Sequence, residues 1–292
     1  MLGRNTFLGC ALGFLSMSLA LVPMGCHRTT PAERDAAAIV EKNLAARGGL
    51  KAWRAVQSMS MSGKMDAGRV RDPIKLARQF ETSRAEARAA ARKAIAQGDT
   101  VNPDDGKMVR LPFVMEMERP RKIRVEIQFQ GQTAVQVFDG TNGWKLRPFL
   151  GRKEAEPYTA DEMRAASAQQ ELDGPLIDYA AKGTKVELEG TEPVEGSDAY
   201  KLKLTLKDGQ VRDVWVDKQT FLEVKMDGAP RRLDGKYHSV ETYLRDYKSV
   251  DGLMIPHLIE TNVEGVKGSH KITIEHVALN PKLDDSRFTK PS

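Results

Sequence analysis

Leu111–Phe149, LPFVMEMERPRKIRVEIQFQGQTAVQVFDGTNGWKLRPF, is the stretch whose reading decides the fold. Phe113, Met115 and Met117 share one face of a strand, while Val114, Glu116 and Glu118 point the other way. Arg119-Pro120 interrupts the run, because proline removes a ladder donor and keeps its neighbour out of the helical region. Ile123, Val125, Ile127 and Phe129 then alternate with Lys122, Arg124, Glu126 and Gln128. Gln130-Gly131-Gln132 turns the chain, Thr133, Val135 and Val137 continue one face, and Asp139-Gly140 turns it again. Trp144, Leu146 and Pro148 complete a fourth strand. No helical period fits. The pattern predicts an antiparallel meander with one apolar and one charged face, Met117, Val125 and Val135 lying on the inward side of three successive strands. That apolar face has two readings, an ordinary core under helices or a curled sheet around a hollow for a lipid. Period-two alternation by itself favours the ordinary core.

Residues 1–26, MLGRNTFLGCALGFLSMSLALVPMGC, have a single Arg4 before an apolar core from Phe7 to Val22 and a small Gly25 ahead of Cys26. This is the layout of a secretory signal peptide over residues 1–25. It is marginal as a membrane span and lacks a stop-transfer flank. Met24-Gly25-Cys26 resembles a lipoprotein signal, in which the cysteine after the cut is acylated, although Pro23 stands where leucine is usual. Export with an unmodified cysteine is the alternative. The chain has two cysteines, Cys10 and Cys26, so a chain cut before Cys26 has no internal disulfide, and an acyl anchor accounts for the remaining thiol.

Residues 26–292 are enough for a single large β domain with a sizeable core. The net charge of +5 is a small, scattered excess of 45 basic over 40 acidic residues. No Lys/Arg cluster interleaves with aromatics, which argues against a nucleic-acid partner. A helical pattern starts at Pro31 and stops at Gly48-Gly49. A first strand spans 57–66 with Met59, Met61 and Met65, read as adaptable core filler. Residues 67–108 break the rhythm. They read as an inserted, partly helical or disordered segment whose helix, SRAEARAAARKAIAQG, starts with Ser83 and Glu86 at capping-box spacing. Thr159 and Glu162 cap a later helix, and from Lys185 strands resume to Leu279, separated by turns such as Asp208-Gly209 and Asp251-Gly252. About ten to twelve strands result, the upper end of what a single sheet holds without curling.

Catalytic signatures do not emerge. The five histidines lack ligand spacing, and neither a GxSxG elbow nor a phosphate-cradling glycine loop occurs. No metal, catalytic residue or cofactor is expected.

The run strand, Arg119-Pro120, strand, hairpin, Asp139-Gly140, Trp144 and Pro148-Phe149 resembles the periplasmic lipoprotein carriers of the LolA/LolB type. KVELEG, AYKLKLTLKDG, VDKQTFLEVK and DGLMIPHLIE are similar to the related outer-membrane lipoprotein-sorting proteins. The resemblance spans most of residues 35–290 outside the insertion. It implies a mainly β fold with helices (α+β), an unclosed antiparallel β-barrel lidded by helices around an apolar cavity that accepts acyl chains. Its implied ligand-binding set is Phe113, Met115, Met117, Arg119, Ile123, Val125, Ile127, Val135, Val137 and Trp144, with Cys26 as the lipidated residue. Arg119 occupies the position the family associates with ligand transfer and lid control; a strand-end arginine in water is the alternative. The implied function is non-catalytic binding of lipid acyl chains or lipoproteins, for sorting to the outer membrane, at whose periplasmic face Cys26 would anchor the chain. A membrane-anchored sensor on the same fold and a structural envelope lipoprotein with a filled barrel are the alternatives.

Overall fold

A computed structural model describes residues 30–70, 107–168, 172–233 and 235–292. The expected signal peptide, Cys26 and the helix placed at 83–98 lie outside these residues.

The N-terminal meander runs β1 (Ser58–Val70), β2 (Lys107–Glu118), β3 (Lys122–Phe129), β4 (Gln132–Phe138), β5 (Gly143–Arg147) and β6 (Arg152–Pro157). The C-terminal one runs β7 (Lys185–Val194), β8 (Ser197–Thr205), β9 (Val211–Asp217), β10 (Glu223–Asp227), β13 (Val240–Val250), β14 (Leu253–Val263) and β15 (His270–Leu279). Between β10 and β13 a small separate hairpin stands out, β11 (Arg231–Leu233) with β12 (Lys236–His238). Pairing of β1 with β15, Met59 opposite Leu279 through Met65 opposite Ile272, joins the two meanders into one sheet. That sheet has thirteen strands in the order β6-β5-β4-β3-β2-β1-β15-β14-β13-β10-β9-β8-β7. It is antiparallel, curled and unclosed, with β6 and β7 as its free edges.

The strand count exceeds the ten to twelve expected, because RKEAEP of β6 and the three-residue strands β11 and β12 show no alternation to read. The segment placed outside the sheet at 67–108 is also narrower: residues 67–70 and 107–108 continue β1 and β2, Val70 pairing with Lys107. Curling needs local breaks in the ladder. One falls at Ser62/Gly63, where β1 meets β15 so closely that a Cβ on Gly63 would lie 2.0 Å from the Thr273 carbonyl oxygen.

Helix α1 (Pro31–Ala46) begins with a capping box: the Glu33 N–H donates to Thr30 Oγ1 at 3.2 Å and the Thr30 N–H donates to Glu33 Oε2 at 2.6 Å. Ala36, Ile39 and Val40 recur at helical spacing and pack on Val186, Leu202, Leu204, Val214 and Val216 of β7–β9. Gly48 and Gly49 take positive φ (+103° and +93°), ending the helix as expected. A Cβ on Gly48 would meet the Gly252 carbonyl oxygen at 2.4 Å, so glycine is required there on both counts. Helix α2 (Leu50–Ala55) then buries Trp53 against Met59, Ile177, Leu253 and Ile255. Helix α3 (Ala160–Ala168) carries the expected Thr159–Glu162 box, with the Thr159 N–H donating to Glu162 Oε2 at 2.7 Å. The inner face of the sheet is therefore covered unevenly. α1 fills the β7–β9 side, α2 and the loop with fully buried Leu176 and Ile177 fill the middle, and α3 stands over the rest.

Candidate functional site

The space under α3 is a cavity of about 1040 Å³. That is at the upper end of the ~300–1,000 Å³ typical of small-molecule sites. Its wall is an apolar stripe that crosses five strands in register. Met115 on β2 lies opposite Met61 on β1, Phe113 opposite Gly63, Gly63 opposite Ile274 on β15, Ile272 opposite Ile259 on β14, and Ile259 opposite Leu244 on β13. All but Gly63 line the cavity. The opposing side consists of α3, the 172–175 turn and the residues leading into the β11–β12 hairpin.

Polar groups are concentrated at the floor and the lip. At the floor, Arg47 Nη1 donates to Glu223 Oε1 at 2.8 Å, both side chains being buried, and the guanidinium lies 4.5 Å from the Trp53 ring centre. Tyr247 donates to the Glu223 carbonyl oxygen at 2.9 Å, and burial raises its hydroxyl well above the ordinary tyrosine range, with the Glu223 charge adding to the shift. Asp173, 2 % exposed, accepts from Arg119 Nη2 at 2.7 Å and from Lys182 Nζ at 2.6 Å. Lys145 Nζ, on β5, holds Glu162 of α3 at 2.5 and 2.6 Å. Burial opposes ionisation of Glu162, but the Lys145 contact prevails and keeps its carboxyl below the usual range. Burial pushes Tyr158, also in the wall, up to about 12. Tyr237, 62 % exposed on β12, and Leu233, 37 % exposed on β11, mark the lip, where the Tyr237 hydroxyl is 3.5 Å from Arg164 Nη2 of α3.

Three residues of the expected set, Phe113, Met115 and Met117, lie in the cavity wall. Ile123, Val125 and Ile127 share their face, each directly opposite one of them, but sit beyond the cavity. Val135, Val137 and Trp144 belong to the opposite face, which corrects the sequence-based placement. The two-residue loop Gln130-Gly131 pairs Phe129 with Gln132, so odd numbers on β3 oppose even numbers on β4: Val125 meets Gln136, while Val135 meets Glu126 and Val137 meets Arg124. On that outer face Val135 and Val137 pack with Trp144 and Leu146 beneath Phe288 of a C-terminal turn (Asp285–Phe288). Arg287 pairs there with Glu116 and with Glu126, the latter at 2.9 Å.

Arg119 is outside the cavity wall. Besides Asp173 it binds the carbonyl oxygens of Val56 (2.8 Å) and Trp53 (3.3 Å), fastening the end of α2 to the turn that carries Asp173. It is therefore not a strand-end arginine free in water.

The isoleucines of β14 and β15, the Arg47–Glu223–Tyr247 floor and Arg212 did not emerge from the sequence. Ile255/Ile259 and Ile272/Ile274 carried the period-two signal, but only the β1–β15 pairing sets them beside β2. Among the described residues no three His, Cys, Asp or Glu side chains group as a metal-ligand set, and no helix is long and apolar enough to cross a membrane.

The chain is mostly β, with three helices and one large, curled and unclosed antiparallel sheet, and its fold is LolA-like. It is similar to a LolA superfamily protein from Nitrosomonas europaea (14 % identity, TM-score 0.51), with 87 % of this chain and 97 % of that one covered. It is equally similar to a DUF1329 family protein from Desulfovibrio piger (14 %, TM-score 0.52, 87 % and 97 %). A domain from Vibrio parahaemolyticus described as outer membrane lipoprotein-sorting follows (12 %, TM-score 0.51, 88 % and 97 %). A family profile described as that of an uncharacterized protein matches residues 178–292. No curated protein matches the chain.

Proposed function

We propose that the chain binds acyl chains of lipids or lipoproteins in the cavity under α3, without making or breaking a bond, and serves in their sorting at the outer membrane. The observation that supports this most is the cavity of about 1040 Å³ walled by methionines and isoleucines. Burying a methylene is worth about 0.8 kcal/mol, so an acyl chain crossing water unescorted faces a cost on the order of ten kcal/mol, which an apolar hollow offsets. Met59, Met61, Met115 and Met117 suit tails of variable shape, because the unbranched thioether adapts without strain. In this reading Cys26 carries the anchor that holds the chain at the periplasmic face of the membrane. A barrel filled by its own side chains fits less well, since about 1040 Å³ lies open under α3. Mass spectrometry of lipids extracted from the purified full chain tests the proposal. Acylated species at near-stoichiometric amounts are expected; a lipid-free protein that also fails to bind a neutral fluorescent probe, N-phenyl-1-naphthylamine, would overturn it.

A further inference from the structure

Among the described residues four large apolar side chains are exposed, and three of them belong to two turns that touch each other. Leu233 and Tyr237 lie on the β11–β12 hairpin, and Val266, 49 % exposed, lies in the turn between β14 and β15. Ser239, just after β12, donates from Oγ to Glu264 Oε2 at 3.0 Å, and the Glu264 N–H donates to the Ser239 carbonyl oxygen at 3.0 Å. A Cβ on Gly265 would lie 3.6 Å from the His238 ring. Burial lowers the pKa of His270, at the start of β15, and the charge of Arg231 on β11 lowers it further. The hairpin pairs with no strand of the large sheet: Arg231 faces His238, Arg232 faces Tyr237 and Leu233 faces Lys236. A two-stranded ribbon is marginal in water on its own, yet Arg231, Arg232, Leu233, Lys236 and Tyr237 are all exposed. The two turns are also basic, with Arg231, Arg232, Lys236 and Lys267 against Asp234 and Glu264. Leu233 and Tyr237 border the cavity as well, so the patch is continuous with its lip.

We propose that the β11–β12 hairpin and the β14–β15 turn dock on an anionic lipid bilayer, with Leu233, Tyr237 and Val266 entering the headgroup layer and the four cations resting on its phosphates. A tyrosine, apolar in its ring and polar at its tip, suits the boundary between water and hydrocarbon. Lysine and arginine lay their stems along apolar surface while their heads reach for charge. The core of a protein–protein interface is depleted of charged residues, whereas here Leu233 stands opposite Lys236 and Tyr237 opposite Arg232, which favours lipid over a protein partner. Only four positions separate Cys26 from Thr30, at most about 14 Å of chain, so a chain anchored at Cys26 has the bilayer within reach. A guest leaving the cavity by this lip enters the bilayer instead of water. The docking surface rests on exposure and charge at the two turns, and stands or falls apart from the cavity reading.

The test uses the exported chain with Cys26→Ser, which removes any acyl group that would itself hold a membrane, and vesicles of phosphatidylcholine with and without an equal part of phosphatidylglycerol. A lysine or arginine at an anionic surface contributes about fivefold to partitioning. The chain should therefore bind the anionic vesicles at least about 25-fold tighter than the neutral ones at low salt, and the preference should fade as salt rises. Lys236→Gln/Lys267→Gln, two exposed side chains outside the cavity wall, should weaken binding to anionic vesicles about 25-fold and leave N-phenyl-1-naphthylamine affinity unchanged. Tyr237→Ser/Val266→Ser should weaken vesicle binding about tenfold or more, at high salt as well as low. Equal binding to both kinds of vesicle, or binding indifferent to both sets of substitutions, overturns the inference. So does a dimer that Tyr237→Ser/Val266→Ser dissolves in a chain that ignores vesicles, since the surface then belongs to a second copy. Vesicle binding without probe binding would sink the cavity reading and leave the docking surface standing.

Discussion

Met115→Trp separates a cavity wall from a packed core. Met115 faces the cavity between Met61 and Val125. If the indole enters open space, few packed neighbours are displaced. Overpacking a true core costs about 1–3 kcal/mol, and for a domain of this size each kcal/mol is worth about 2–4 °C of Tm. A packed site therefore predicts a fall of roughly 2–12 °C, whereas an empty one predicts a ligand-free Tm within about 1 °C of native. Binding should move the other way. An indole occupying the place of three or four methylenes removes about 2.4–3.2 kcal/mol of burial, weakening Kd about 60- to 200-fold. The matched control is Val137→Trp, fully buried on the outer face under Phe288. It should lower Tm by the packed-core amount and leave the affinity of the folded protein unchanged. Thermal melts of ligand-free protein and titration with a fluorescent fatty acid read both quantities. A large Tm loss at Met115→Trp with unaltered probe affinity would refute the cavity reasoning, and a tolerated Val137→Trp would refute the register.

Cys26→Ser should abolish acylation, so that the exported variant leaves membranes in a high-salt wash that native protein survives; retention of the processed variant would sink the anchor. Replacing residues 71–106 by Asn-Gly should preserve fold and Tm, because Val70 and Lys107 are already paired and a two-residue turn closes that hairpin; expression only as aggregate would show that the segment contributes to the core. Asp173→Asn keeps the shape but removes the charge between Arg119 and Lys182. It should cost about 2 kcal/mol, less than a fully buried pair since both cations are partly exposed, and speed hydrogen exchange in 172–184; a Tm within 1 °C of native would mean that the turn is held by Leu176 and Ile177 alone.

Much of this fold was legible because a strand with one buried face writes that face at every second residue. Phe113/Met115/Met117 and Ile123/Val125/Ile127 share a face, as read. The reading failed at the next hairpin for a definite reason. Alternation along a strand shows two faces without saying which is inner, and parity inverts across the Gln130-Gly131 loop. Val135 and Val137 looked like a continuation of the inner row because both faces of β4 are apolar: Ala134 and Phe138 are buried inside, Val135 and Val137 outside. The outer row is buried only because the last residues of the chain fold back and set Phe288 upon it. Nothing local in QTAVQVF announces a partner some 150 positions away. The cavity floor was equally hidden, since Arg47, Glu223 and Tyr247 come from three elements that only the sheet order brings together.

Whether a hollow exists is decided by the helices above the strands, and here two helices on one sheet give opposite results. α1 turns Ala36, Ile39, Val40 and Leu44 toward β7–β9, a stripe at three- and four-residue spacing whose branched members fill the gap between helix and sheet. The α3 residues bordering the cavity include Asp161, Glu162, Arg164, Ala165 and Ala166. Alanines stop one carbon from the backbone, and charged groups retain water or partners instead of entering an apolar gap. Glu162 is drawn sideways to Lys145 of β5, which fastens α3 to the sheet, Arg164 pairs with Asp161 of the same helix, and no large apolar side chain of α3 lines the cavity. A helix tied at Glu162 over a methionine- and isoleucine-covered sheet, with Ala165 and Ala166 bordering the space, leaves volume beneath it. The strands supply an apolar wall in both halves of the barrel. The small inner residues of ADEMRAASA leave the space in one half unfilled.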